Sequence, residues 1–119
     1  GSVWESAMWT PAQRLSNLTV IVDFNKLQAT GRSTEITALV PLADKWSAFG
    51  WDTVEINGHD VVSLVDALSA RHPTKPRAIV AHTVKGKGVS FMENDIEWHY
   101  RPPSDADLDR ALAELRDFQ

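Results

Sequence analysis

The chain has 119 residues, 43% of them hydrophobic and 24% charged, with a formal net charge of −4. That is enough for one domain with a core of its own, and the negative balance argues against nucleic acid as a partner. Without cysteine there is neither a disulfide framework nor a thiolate metal site, and no apolar run approaches the ~20 residues of a membrane span, so the chain reads as a cytoplasmic globular domain.

Residues 3–16 are expected to form a helix, with Trp4, Ala7, Met8 and Leu15 near the 3.6 period and a kink or break at Pro11. Leu18 to Phe24 is a short β-branched apolar run, the pattern of a parallel strand buried on both faces. Residues 25–40 read as a long loop. Leu42, Trp46 and Phe49 give a short helix closed by Gly50, and Trp51 to Ile56 alternates as a strand. Asn57-Gly58 turns the chain into a helix built on Val61, Leu64, Val65 and Leu68, which Pro73 ends. Arg77 to Val84 is a second buried strand, and Lys85 to Arg101 a second long loop. Ser104-x-x-Asp107 resembles a capping box ahead of a terminal helix carrying Leu108, Ala111, Leu112 and Leu115.

Helices alternating with buried-type strands predict an α/β fold, a parallel sheet flanked by helices. Ligands of such sheets sit beyond the carboxyl ends of the strands. Both long loops follow strands at that end, so chemistry is sought there. Asn25 and the backbone of Leu27 place two oxygens where one hard cation, Mg²⁺ or Ca²⁺, is able to bind. An Asn that merely caps a turn is the other reading. Lys85-Gly86-Lys87-Gly88 offers cations on a backbone that an anion can approach closely, or else is a solvated basic turn. It lacks the spacing of a Walker A loop. His99 stands in the same loop, suited to proton handling or to an anion, or to plain packing. His82, on a strand, reads as a satisfied core histidine, and His59 and His72 as structural. The alternating Asp105, Asp107 and Asp109 are acids at a helix N-terminus, without the glycine and glutamate of an EF-hand. The five tryptophans are assigned to packing rather than to a ligand cage, with Trp46 and Phe49 in the core.

Several stretches together resemble the transketolase family: Gly1-Ser2-Val3-Trp4-Glu5-Ser6-Ala7-Met8, Asn17-Leu18 through Asn25-Lys26-Leu27, Asp44-Lys45-Trp46 to Phe49-Gly50-Trp51, Asn57-Gly58-His59-Asp60, Thr83-Val84-Lys85-Gly86-Lys87-Gly88-Val89, and Glu97-Trp98-His99. The likeness runs through nearly the whole chain in one order. It implies the thiamine-diphosphate-binding fold, with residues 1–119 as a single partial diphosphate-binding domain truncated at its N-terminus. The family's Gly-Asp-Gly motif, with the first metal ligand, would lie just before Gly1. The implied cofactors are thiamine diphosphate and Mg²⁺ or Ca²⁺. The implied metal ligands are Asn25 and Leu27, and the implied cofactor-binding residues are Asn25, Leu27, Lys85 and His99. His99 and Glu5 would be catalytic, Glu5 within an acidic chain linking the two active sites of a dimer. The implied activity is transfer of a two-carbon ketol unit between sugar phosphates. It would need a pyrimidine-binding domain or subunit, in a homodimer or heterotetramer, and this chain alone would be inactive. A non-catalytic interaction module that keeps the fold is the alternative. His99 is followed by Tyr100 where the family has glycine, which is expected to narrow the site or reshape the loop.

Overall fold

The structure, a computed structural model, describes residues 1–116. In chain order it comprises α1 (Ser2–Ala12), β1 (Thr19–Phe24), β2 (Leu27–Gln28), β3 (Gly31–Arg32), α2 (Ser33–Ile36), α3 (Leu42–Ala48), β4 (Asp52–Asn57), α4 (Val61–Ser69), β5 (Arg77–His82), a 3₁₀ turn (Ile96–His99) and α5 (Asp105–Arg116). These fall into two compact units. The first holds Gly1–Phe24 and Leu39–His82; the second holds Asn25–Ala38 and the described residues from Thr83 on.

In the first unit β1, β5 and β4 form a parallel sheet in that spatial order, with β5 in the middle. Position in the sheet decides burial. Ala78, Ile79, Val80 and Ala81 of β5 are all buried, as an apolar run between two neighbours requires. β1 has the same kind of sequence but lies at an edge, and its Ile21 is 53% exposed. The expectation of a strand buried on both faces holds for β5 and fails for β1. His82, expected in the core, is half-buried at the end of β5; its ring meets Phe24 edge-on and Nε2 lies 2.8 Å from the Glu55 carboxylate.

One face of the sheet carries the aromatic core. Ala7, Phe24, Leu42, Trp46, Trp51, Ala78 and Val80 pack together, with Trp4 and Phe49 half-buried against them. Phe49 therefore borders the core rather than filling it. Helix α1 joins this core through a break in its own ladder. It stops at Ala12, four residues short of the expected end, with Pro11 in its last turn and Arg14 at φ 54°. Pro11 has no N–H for the carbonyl of Ala7, one turn back. The buried indole of Trp51 donates to that carbonyl instead, at 2.8 Å. A sequence-local defect is thus satisfied from 44 residues away.

The second unit is built largely from turns. Segment 25–40, expected as a loop, contains the antiparallel β2–β3 hairpin, pairing Leu27 with Arg32 and Gln28 with Gly31, followed by the single turn of α2. The capping box is real. Ser104 Oγ accepts from the Asp107 N–H, and Asp107 Oδ2 accepts from the Ser104 N–H and hydroxyl at 3.0 and 2.7 Å. Those bonds, the hydroxyl's first, hold the Asp107 carboxyl below the usual carboxylate range, with Arg101 and Arg110 adding to the effect. A depressed folded-state pKa gives stability that is present above the unfolded value and lost as pH falls through the folded one. Asp107→Asn is therefore expected to lower the melting temperature at neutral pH and to flatten the acid side of the stability profile below pH ~4. Equal pH profiles for variant and parent would remove the cap from the account. No described helix is long and apolar enough to cross a membrane.

Candidate functional site

Phe24 and His82 are register partners, so β1 and β5 end at one edge of their sheet. Asn25 follows Phe24 directly, and Lys85 comes three residues after His82. In the second unit Asn25, Leu27, Gln28, Ala29, Lys85, Ile96 and His99 line one recess of about 210 Å³. The four residues singled out for cofactor binding, Asn25, Leu27, Lys85 and His99, are thus brought together. Gln28, Ala29 and Ile96 join them without any warning in the sequence; an alanine and an isoleucine carry no chemical signal there. Glu5 is not part of this recess. It stands exposed on α1, beside Ser6 and Trp9.

Local geometry explains each wall. The Leu27 N–H donates to Asn25 Oδ1 at 2.9 Å across Lys26, which is in the left-handed region at φ 67°. Asn25 therefore does cap a turn, and its amide oxygen keeps a second lone pair for a ligand. Lys85 and Lys87 differ. Lys87 forms an ion pair with Glu93 at 3.3 Å, and the same carboxylate accepts from the Gly88 N–H at 3.0 Å. Among the described residues no carboxylate forms an ion pair with Lys85. Gly86 has a reason other than ligand approach. Its φ is 73°, and a Cβ there would stand 2.4 Å from the carbonyl oxygen of Met92, so the chain crosses itself where only glycine fits.

The 3₁₀ turn that ends at His99 is pinned at several points. Asp95 caps it by accepting from the Glu97 N–H at 2.9 Å. The Trp98 ring meets Phe91 edge-on, its Nε1 donates to the Phe91 carbonyl, and Arg101 lies over its face at 4.7 Å. Tyr100 stands 69% exposed and does not line the recess, so it does not narrow it. Ser90 ties this segment to α5, its hydroxyl donating to Glu114 at 2.8 Å. The two bonds from Ser90, the backbone N–H first, hold the Glu114 carboxyl below its ordinary range.

A family profile described as "Transketolase, thiamine diphosphate binding domain" matches residues 1–115. The chain belongs to the transketolase family. It is 42% identical over 118 residues to one subunit of the apulose-4-phosphate transketolase of Actinobacillus succinogenes, covering 98% of this chain and 43% of that protein. It is 40% identical over 117 residues to one subunit of the 6-deoxy-6-sulfo-D-fructose transketolase of a Clostridium species, covering 97% of this chain and 42% of that protein. The crystal structure of transketolase from Campylobacter jejuni superposes with a TM-score of 0.86 at 25% identity, over 95% of this chain and 18% of that one. The chain thus spans less than half the length of these curated relatives.

The recess of this transketolase-family chain suits a diphosphate. Its lining residues include one lysine, one histidine and two with side-chain amides, Asn25 and Gln28, and no carboxylate lines it. A divalent cation would find two neutral oxygens, Asn25 Oδ1 and the Leu27 carbonyl, at one turn. No group of three or more His, Cys, Asp or Glu suited to a metal occurs among the described residues. A hard cation takes six or more oxygens, so most of its shell must come from the diphosphate and from groups outside this set.

Proposed function

We propose that the chain supplies the diphosphate side of a thiamine-diphosphate-dependent transketolase, working with a pyrimidine-binding domain or subunit. The observation that carries this is the convergence of Asn25, Lys85 and His99 on one recess free of carboxylates. That convergence also favours the enzyme over an interaction module, which has no use for an ammonium and an imidazole lining one space. The bound cofactor supplies a carbon nucleophile able to carry a two-carbon ketol unit. The residues of this chain bind and orient. Lys85 would neutralise oxygens of the diphosphate, and Asn25 Oδ1 with the Leu27 carbonyl would hold Mg²⁺ or Ca²⁺, which would add positive charge beside that group. His99 donates to an anionic oxygen or moves a proton at a ring nitrogen. Glu5, exposed on α1, belongs to an acidic link between the active sites of a dimer.

The relatives named above bear subunit names and ketose substrates with a phosphate or sulfonate tail. By that analogy the substrates are ketoses and aldoses with an anionic group and the partner is a second polypeptide, which makes the assembly a heterotetramer; a homodimer follows where the pyrimidine-binding domain shares the chain, and in either case the compartment is the cytoplasm. Hydrogen bonds to charged groups contribute about 1.5–3 kcal/mol each. Lys85→Ala in the complete assembly is therefore expected to weaken thiamine diphosphate binding by about 10- to 100-fold, with Asn25→Ala weakening it through the cation. Titration calorimetry with Mg²⁺ present reads both. This chain without its partner is expected to bind the cofactor negligibly; micromolar binding by it overturns the need for the partner, and unchanged affinity in Lys85→Ala defeats the assignment.

A further inference from the structure

One wall of the recess is weakly held by its own element, and another is an exposed side chain at the end of a pinned turn. The first is the β2–β3 turn with Ala29. The hairpin behind it has two-residue strands, and a short isolated hairpin is marginal in water. The other is His99, exposed at the end of a 3₁₀ turn. Tyr100 touches both. Its hydroxyl donates to the Ala29 carbonyl at 3.3 Å, across 71 residues of sequence. Its ring meets the His99 imidazole edge-on, with centroids 4.7 Å apart and planes at 85°. Tyr100 is too exposed to be a packing anchor, and it takes no room from the recess.

We infer that Tyr100 is a positioning residue that braces the β2–β3 turn against His99, so that the diphosphate recess stands formed before its ligand arrives. The inference rests on the diphosphate reading given above. Its physical content is preorganisation: walls already fixed need no ordering when the anion binds. Phenylalanine at 100 keeps the ring on His99 and loses the bond to Ala29. Alanine loses both.

The test uses the complete assembly with the partner present, with inorganic pyrophosphate and Mg²⁺ as the probe. Tyr100→Phe is expected to speed amide exchange at Ala29 to Gly31 by about two- to tenfold, the worth of one net hydrogen bond. The ring protons of His99 keep their NMR shifts in Tyr100→Phe and lose the ring-current displacement in Tyr100→Ala. Pyrophosphate affinity falls about threefold in Tyr100→Phe and about tenfold in Tyr100→Ala, with melting temperatures unchanged. Unaltered exchange and NMR shifts in both variants would overturn the brace. So would altered shifts with undiminished affinity, or a loss of affinity that tracks a lowered melting temperature. Lys85→Ala separates the two claims. If it binds pyrophosphate like the parent, the diphosphate site is wrong, while the exchange and NMR results still decide the brace.

Discussion

Gly86→Ala is expected to dismantle the segment that carries Lys85 while leaving the parallel sheet folded. A Cβ at residue 86 would lie 2.4 Å from the Met92 oxygen, 2.7 Å from its carbonyl carbon and 2.9 Å from its Cβ. Two of those three atoms are backbone, so no side-chain rotation relieves the clash. The φ of 73° adds the penalty of a left-handed alanine, about 1–2 kcal/mol. Overpacking typically costs about another 1–3 kcal/mol. Together these are on the order of 2–5 kcal/mol, a large share of the roughly 5–15 kcal/mol typical of a domain. The strain falls in the second unit, where the Asn94 N–H also bonds the Lys85 carbonyl at 3.0 Å. Hydrogen exchange is expected to lose its protection from residue 85 to 101 and to keep it in β1, β4 and β5. Gly88→Ala is the milder comparison, because its Cβ would meet only the Leu115 Cδ2, at 3.1 Å, the tip of a flexible side chain. Equal protection in Gly86→Ala and parent would show that the crossing at Met92 is not fixed.

What the sequence disclosed follows the range of the forces involved. β5, α3 and the cap of α5 are written in neighbouring residues, through apolar runs, helical spacing and Ser104-x-x-Asp107. The gathering of Asn25 and Lys85 at one recess is legible for a related reason. Asn25 and Lys85 each follow a strand, and parallel strands end together, so two distant residues are assigned to one edge by sequence alone. The β2–β3 hairpin is not legible. Two-residue strands have no alternation to read, and Gly31 at φ 151° belongs to a turn that Gln28-Ala29-Thr30 does not announce. The length of α1 depends on Pro11, but the partner of the carbonyl that Pro11 frees is Trp51, which no local rule names. The glycines of residues 85–88 point to an anion, yet Gly86 is required by the protein's own backbone. Tyr100 is expected from sequence to narrow the site or reshape the loop; it does not line the recess, its contact with His99 is between chain neighbours, and its bond to Ala29 exists because the β2–β3 turn lies beside it. Each miss is a non-local contact replacing a local inference.

Trp46→Ala is expected to abolish cooperative unfolding of the first unit, whereas His99→Ala leaves the melt nearly unchanged. Trp46 is 3% exposed, and its ring packs on Trp4 at 5.7 Å and edge-on against Trp51 at 4.9 Å. Truncating a buried tryptophan to alanine costs about 3–5 kcal/mol, since the cavity cannot close. Here the loss spreads. Trp51 holds the Ala7 carbonyl, so loosening its packing also loosens the tie between α1 and the core. The indole N–H of Trp46 is buried without a hydrogen-bond partner among the described residues. The residue therefore contributes through shape and apolar area, and no lost hydrogen bond complicates the reading of the alanine variant. His99 is exposed, and the Trp98 indole and the Asp95 cap hold its turn without it. Thermal melts by circular dichroism on the two variants decide the matter. If Trp46→Ala melts like the parent and His99→Ala collapses, the aromatic cluster is not the core, and His99 is structural rather than part of the diphosphate recess.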